Sequence, residues 1–206
     1  MMNSGTVLPI LSLGYNIIQL EGIDNKQLFK DIIENKDKKN DPNYKEIVLP
    51  DADEETILPD TIESKKLLNM VHNEIMKINK YFIAFDWWAH ILEPGQSTLY
   101  HSHEKLGFRD GISWVYYVNC PEKSGDIVLN VNALKRKLQL PIRPLAGNLL
   151  LFPTHVPHYV RRNVSEETRI SVSGNYFPDN EKLNEFSKEI HEGRSNYFYY
   201  VGAYNN

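Results

Sequence analysis

Three histidines are the residues of this chain whose types and spacing predict chemistry most directly. His101 and His103 lie two residues apart at the end of a β-prone stretch, and side chains at positions i and i+2 point to the same face of a strand. His158 follows a glycine-led apolar run that ends at Pro153. Imidazole nitrogens bind iron, zinc, nickel and copper. The pattern therefore favours a metal site formed by His101, His103 and His158 over a pair of surface histidines beside a turn.

The elements that must position these residues are short strands separated by recurrent glycine and proline turns. Alternation and β-branched or aromatic content predict strands at Tyr81–Leu92, Gln96–His103, Ile112–Val118, Asp126–Val131, Asn148–Phe152, His158–Arg161 and Arg169–Phe177. Six or seven short strands with frequent turns are typical of an all-β sandwich or barrel.

Helical patterns flank this β-rich region. Asp24 is a candidate N-cap for a first helix, with Gln27 placed as in a capping box. A second helix should begin near Asp60 or Thr61 and bury a stripe made of Leu67, Leu68, Val71, Ile75 and Ile78. The acidic stretch from Ile47 to Pro59 predicts a solvated loop, and a last helix is expected at about Asn180 to Glu192.

These patterns predict a single domain over residues 1–206 with three parts. Residues 1–80 hold N-terminal strands and two buttressing helices, residues 81–177 hold the β core, and residues 178–206 hold the C-terminal helix and an aromatic tail. The fold class is mainly β, a jelly roll with flanking helices.

Composition excludes several classes of function. The net charge of −4 gives no general attraction to nucleic acid or to an anionic membrane, and no nucleic-acid signature occurs. Cys120 is the single cysteine, which fits a reducing compartment. The sequence shows neither a signal-peptide pattern nor an apolar run of membrane-spanning length. We therefore expect a cytoplasmic protein, located in the host cytoplasm if a phage carries its gene; no pattern predicts the oligomeric state.

Residues 100–177 resemble the double-stranded β-helix core of the Fe(II)- and 2-oxoglutarate-dependent dioxygenases, especially their prolyl-hydroxylase-like branch. That family carries His-x-Asp, a Tyr-Leu-Asn strand end, an apolar strand after a glycine, a distal His and an Arg. The corresponding residues here are His101, Tyr117-Val-Asn119, Gly147 to Phe152, His158 and Arg169. The chain is also similar to oxygenases of phage and marine bacteria that have His-x-His and Phe-Pro-x-x-x-x-His segments.

The resemblance implies Fe(II) and 2-oxoglutarate as cofactors, molecular oxygen as a reactant, and a small-molecule or protein substrate. It implies that Arg169 clamps the distal carboxylate of 2-oxoglutarate in bidentate fashion, helped by Ser171 and by the Tyr117 hydroxyl. It also makes His101, His158 and Arg169 the residues on which catalysis depends.

One position departs from the family pattern, because His103 stands where the carboxylate ligand is expected. An imidazole there removes one negative charge from the metal shell, which should weaken iron retention and raise the iron potential. Glu104 and Asp110 are the alternative third ligands. Glu104 points to the opposite face if the strand continues, and Asp110 requires the loop to fold back, so we prefer His103.

A second resemblance keeps other functions open. Gly95, His101 and His103 match the spacing of the first half of the cupin motif, and Gly147, Pro153 and His158 approximate the second half, but the expected glutamate is replaced by Gly107 and Phe108. A three-histidine cupin dioxygenase or isomerase that does not use 2-oxoglutarate is therefore one alternative. A non-catalytic metal-binding jelly-roll module is another. Candidate residues for a substrate cleft are Trp87, Trp88, Trp114, Tyr100 and the tail Tyr197–Tyr200, although aromatic residues in such a fold more often belong to the core. His155, Arg161 and Arg162 are candidates for its rim or for an ordinary solvated surface.

Overall fold

The structure, a computed structural model, is built mainly from antiparallel strands and describes residues 14–36, 54–56, 58–104, 108–133 and 136–181. Its elements in chain order are β1 (Asn16–Gln19), α1 (Asn25–Asn35), β2 (Glu54–Thr56), α2 (Ile62–Ile78), β3 (Phe82–Leu92), β4 (Ile112–Asn119), β5 (Ile127–Ala133), β6 (Arg136–Ile142), β7 (Asn148–Pro153), β8 (His158–Val160) and β9 (Arg169–Pro178). A large sheet has the order β1-β7-β4-β9-β3-β2, and a small sheet has the order β6-β5-β8. The chain passes repeatedly between the two sheets, which is the arrangement of a jelly roll.

The two helices cover the outer face of the large sheet. The Asp24 side chain caps α1 by accepting hydrogen bonds from the backbone N–H groups of Lys26 and Gln27 (3.1 and 3.0 Å), and Thr61 caps α2 by accepting from Ser64 N (3.3 Å). The apolar stripes of both helices are fully buried in one core with this sheet face, at Leu28, Ile32, Leu67, Val71 and Ile75. The helices thus support the large sheet from outside and leave its inner face to build a pocket.

The inner face of the large sheet packs against the small sheet. Alternation places Val115, Leu150 and Phe152 on this face, where they meet Ile127 and Leu129 of β5.

A row of polar side chains crosses the same inner face. Ser113 Oγ donates a hydrogen bond to Asn175 Oδ1 (2.7 Å), and Asn175 Nδ2 donates to Asp86 Oδ1 (2.6 Å). Ser113 and Asn175 are buried. Because buried polar groups are costly unless they are paired, this row fixes the registers of β4, β9 and β3 relative to one another.

Most predicted elements are confirmed with shifted ends, but one prediction near the site is wrong. The segment Gln96–His103 is not a strand, and it pairs with the small sheet through an isolated bridge between His101 and His158. Two strands were not predicted. β2 falls in the stretch assigned to a loop. β6 contains Pro141, which has no N–H to donate, and an edge strand tolerates a proline because one side of that strand has no partner strand.

Smaller differences concern the helices. Ile78 was predicted to be buried but is 53% exposed, so the buried stripe of α2 ends at Ile75. The Gln27 side chain bonds Asp31 Oδ1 (2.7 Å) instead of closing a capping box. The predicted helix from Asn180 to Glu192 lies almost wholly outside the described residues, as does the aromatic tail. Neither described helix is long and apolar enough to cross a membrane.

Candidate metal centre and co-substrate pocket

The structure brings His101, His103 and His158 together although they do not share a regular strand. His101 N donates a hydrogen bond to His158 O (3.0 Å), and His158 N donates to His101 O (2.8 Å). His103 N donates to Thr154 O (2.9 Å). The segment before β4 is therefore fastened along β8 and the turn that precedes it. One ring nitrogen from each histidine lies within 4.8 Å of the other two, which is close enough for all three to bind one metal ion.

Backbone carbonyls fix the tautomers of two of these histidines. His101 Nδ1 lies 2.7 Å from Leu99 O, and His158 Nδ1 lies 3.0 Å from Val156 O. A carbonyl oxygen only accepts hydrogen bonds, so each Nδ1 carries the proton and each Nε2 keeps its lone pair. Orientation of a metal-binding imidazole through its second nitrogen is the usual arrangement in metal sites.

Burial keeps His158 neutral. Loss of solvent first, and the neighbouring His101 second, lower the pKa of His158 to about 3. The Phe152 ring packs edge-on against it, with ring centroids 4.8 Å apart. At neutral pH the imidazole is therefore a neutral ligand whose Nε2 needs no proton release before it binds a metal.

The two alternative carboxylates do not join this cluster. Glu104 Oε1 accepts from Arg109 Nε (3.1 Å) in an exposed ion pair, and Asp110 is exposed. Within the described part of the chain, the only group of three or more potential ligands is the three histidines.

Arg169 is a buried guanidinium in the same pocket. Its side chain is 2% exposed, its Nη1 donates to Gly125 O (3.0 Å), and its Cζ lies 5.6 Å from the centre of the Tyr117 ring. Arg169 Nε and Tyr117 Oη are buried and have no hydrogen-bond partner among the described residues. Such unsatisfied groups are rare in folded proteins, so the pair indicates a place for a polar ligand.

Strand register explains how Arg169, Ser171 and Tyr117 come together. Ser171 of β9 lies directly opposite Tyr117 of β4 and His90 of β3, and Arg169 lies one inward position further along β9. Burial raises the pKa of Tyr117, so its hydroxyl is a neutral hydrogen-bond donor. Arg169 and Ser171 line a pocket that is also lined by His101, His103 and His158.

Sequence reasoning missed several residues that line this pocket, namely His90, Thr98, Ser113 and Ser173. His90 accepts a hydrogen bond at Nε2 from Trp88 Nε1 (2.6 Å), and the Trp88 ring lies 5.4 Å from the His103 ring. Ser173 could have been found from the sequence, because it lies two residues from Ser171 and so shares its face of the strand. His90 could have been found in the same way, because it lies two residues from the inward-facing Leu92.

The aromatic and basic residues proposed for a substrate cleft have different locations. Trp87 and Trp114 are buried in the core between helices and sheet, whereas Trp88 is half-buried beside His103. Tyr100 is 62% exposed, and its ring lies near that of Tyr159. The neighbours of Tyr159 on β8, His158 and Val160, face inward, so Tyr100 and Tyr159 lie on the outer side of the small sheet. The basic residues have partners: His155 Nδ1 lies 2.9 Å from Arg109 O, and Arg161 pairs with Asp126.

The central part of the chain matches a known protein family. Residues 86–175 match the family described as "Putative 2OG-Fe(II) oxygenase", and this stretch holds all three histidines and Arg169. Over residues 86–175 the chain is thus similar to the 2-oxoglutarate–Fe(II) oxygenases. It is therefore an enzyme of the class that uses Fe(II) and 2-oxoglutarate, and the three imidazoles and the buried guanidinium are residues of the types that these two cofactors require.

Solved structures of prolyl hydroxylases share the fold of this chain. A prolyl-4-hydroxylase from Pseudomonas putida is 18% identical with a TM-score of 0.61, and the match covers 82% of this chain and 94% of that one. A Trichoplax adhaerens prolyl hydroxylase in complex with a hypoxia inducible factor peptide fragment is 17% identical, with a TM-score of 0.62 and coverages of 85% and 88%. The viral collagen prolyl hydroxylase of Paramecium Bursaria Chlorella virus-1 is 18% identical, with a TM-score of 0.54 and coverages of 79% and 95%. No curated protein sequence gives a significant match.

Proposed function

We propose that this oxygenase is a hydroxylase that couples oxidation of an organic substrate to conversion of 2-oxoglutarate into succinate. His101, His103 and His158 would hold Fe(II), while Arg169, Ser171 and Tyr117 would hold the distal carboxylate of 2-oxoglutarate. The observation that carries this proposal is the buried Arg169, whose Nε lacks a partner among the described residues in the same pocket as three converging imidazoles.

The chain's own residues would divide the work as follows. The carbonyls of Leu99 and Val156 orient His101 and His158 so that their Nε2 lone pairs converge. Gly125 O holds the guanidinium of Arg169, whose planar fork matches a carboxylate. Ser171 offers a hydroxyl from the next inward position of β9, and the apolar side chains of Ile127, Phe152 and Val160 keep the pocket dry.

The bound cofactors supply the chemistry that these side chains lack. When bound, Fe(II) and 2-oxoglutarate would supply the oxidation: one oxygen atom of O₂ would go to succinate with loss of CO₂, and the other would go to the substrate as a hydroxyl group. The protein contributes binding, orientation and exclusion of water.

Calorimetry of 2-oxoglutarate binding to the metal-loaded protein without oxygen tests the proposal. We expect one binding site in the parent chain and, when oxygen and Fe(II) are supplied, formation of succinate that depends on 2-oxoglutarate. Absence of 2-oxoglutarate binding to a protein that demonstrably holds the metal would refute the assignment of Arg169.

The three-histidine cluster also favours a second candidate, a cupin-type dioxygenase without 2-oxoglutarate. That enzyme would consume oxygen, or isomerise its substrate, at a rate indifferent to 2-oxoglutarate. It gives no role to the guanidinium of Arg169 in the pocket. Oxygen uptake measured with and without 2-oxoglutarate therefore separates the two candidates.

A further inference from the structure

The charge of the pocket leads to an inference about how the metal is retained. The three groups that converge on the proposed metal position are imidazoles, and a neutral imidazole brings no charge to a divalent cation. A carboxylate at the position of His103 would bring one negative charge. The metal shell offered by the protein is therefore neutral, and the full charge of the ion remains to be balanced.

The titratable groups around the pocket do not balance that charge. His90 of β3 accepts from the Trp88 indole at Nε2, so that nitrogen carries no proton. Burial raises the pKa of Tyr117 of β4, and it raises the pKa of Cys120, just beyond β4, to about 11, so both are neutral at pH 7. Arg169 of β9 adds one positive charge.

Two carboxylates near the pocket are already engaged. Asp126 is close enough to raise the pKa of Tyr117, but it forms an ion pair with Arg161 (3.3 Å). Asp86 accepts from Asn175 Nδ2 (2.6 Å) at the far end of the polar row. None of the described residues that line the pocket is an aspartate or a glutamate.

We propose that this pocket retains its metal through its anionic co-substrate, so that the divalent cation and 2-oxoglutarate each strongly increase the affinity for the other, and that His103 sets the strength of this dependence. The inference rests on the proposed function. A divalent metal beside Arg169 places three positive charges in a largely buried pocket, where charges interact more strongly than in water. The dianion 2-oxoglutarate removes two of them. Coupling between two ligands is reciprocal, so both affinities change by one common factor.

The test uses the full-length protein after removal of metal with a chelator, and Mn(II) as a probe that can be handled in air. Mn(II) is titrated calorimetrically with and without saturating 2-oxoglutarate, and 2-oxoglutarate is titrated with and without Mn(II). Binding of Mn(II) by free 2-oxoglutarate is measured separately and subtracted. We expect 2-oxoglutarate to tighten Mn(II) binding at least tenfold, within the range of about 5–150-fold usual for such coupling, and we expect the reverse titration to give the same factor.

Two matched variants separate charge from shape, because chelation alone couples the two ligands to some extent. His103→Asp adds the missing negative charge, so it should bind Mn(II) alone more tightly than the parent and show a coupling factor several times smaller. His103→Asn has nearly the shape of Asp but no charge, so it should bind Mn(II) weakly and keep the coupling factor of the parent.

A second ligand tests the proposal on the parent chain alone, even if both His103 variants fail to fold. 2-Oxovalerate has the same chelating end as 2-oxoglutarate but only one negative charge, so at saturation it should increase Mn(II) affinity clearly less. Equal factors for the two ligands would overturn the proposal, as would equal coupling in the parent and His103→Asp. The proposal would also be overturned if 2-oxoglutarate bound but changed the Mn(II) affinity by less than twofold. In that case the proposed function stands. If Mn(II) binds and 2-oxoglutarate does not, the proposed function fails as well.

Discussion

At the scale of single residues, the informative atoms are the polar ones that the protein leaves without a partner. The side chains of Arg169 and Tyr117 lie next to each other. Arg169 Nε and Tyr117 Oη are both buried, and neither has a hydrogen-bond partner among the described residues. A fold that keeps such groups loses stability unless a ligand or water satisfies them. Arg169 lines the same pocket as the three imidazoles, so under the proposed function it would connect the metal position to a carboxylate position.

Replacement of Arg169 by lysine should weaken 2-oxoglutarate binding without affecting metal binding. Lysine keeps the charge but offers a point donor instead of a planar fork. Loss of a buried charge-assisted hydrogen bond costs about 1.5–3 kcal/mol, which corresponds to about tenfold to a hundredfold in affinity. Calorimetry of the metal-loaded variant measures this loss, and Arg143→Lys, at an exposed arginine outside the pocket, is the matched control. An unchanged affinity in Arg169→Lys would move the three-histidine cupin interpretation ahead.

The Tyr117→Phe substitution should have opposite effects on stability and on ligand binding. The phenylalanine ring fills the same space but removes a buried hydroxyl that lacks a partner, so the ligand-free variant should be at least as stable as the parent, by up to about 1 kcal/mol. Its affinity for 2-oxoglutarate should fall, because a neutral donor to the carboxylate is gone. Urea denaturation and calorimetry give the two quantities. A variant that loses stability and keeps its affinity would show that the hydroxyl has a structural partner.

At the scale of elements, the sequence predicts strands well where alternation is regular and fails where side chains replace the backbone ladder. The strand positions of the candidate residues on β4, β8 and β9 could be predicted because these strands are regular. The segment from Gln96 to His103 could not, because Thr98 Oγ1 accepts from Val160 N (2.6 Å) in place of a carbonyl. The position of β6 was hidden by Pro141. The sequence also could not show that Glu104 pairs with Arg109 instead of joining the three histidines.

This replacement of a ladder bond makes Thr98 a positioning residue for His101. Thr98→Val keeps the shape but leaves the buried Val160 N–H without an acceptor, which should cost about 1–3 kcal/mol in the free energy of unfolding. Metal affinity should fall as well, because the segment that carries His101 is fastened here. The control Thr98→Ser keeps the hydroxyl and should lose much less of both. If Thr98→Val and Thr98→Ser bound metal equally well, the bond would have no role in placing His101.

At the scale of the whole molecule, a helix-backed sheet supplies rigidity on one face and chemistry on the other. Leu28, Ile32 and Leu67 are fully buried in the core between helices and sheet, while Arg169 and Ser171 project from the opposite face of the same sheet. The overall fold matches solved oxygenases at 17–18% identity. The architecture is therefore kept at low sequence identity, whereas the histidine at position 103 is a local feature of this chain.

The buried imidazole of His158 should make the stability of the metal-free protein depend on pH. An unfolded chain protonates histidine near pH 6.5, but in the folded protein burial and His101 lower the pKa of His158 to about 3. Between these values the unfolded state binds more protons, so this contribution is fully present above pH 6.5 and is lost progressively as the pH falls toward 3. At pH 5 the loss from His158 should be about 2 kcal/mol.

Urea denaturation of the chelator-treated protein at pH 7 and pH 5 measures this loss. Burial also lowers the pKa of His72, which acts in the same direction, so the parent must be compared with a variant that lacks only His158. His158→Gln has no titrating group at this position and should lose about 2 kcal/mol less than the parent over the same interval. Equal losses in the two proteins would mean that the His158 imidazole is protonated as easily in the folded chain as in the unfolded one.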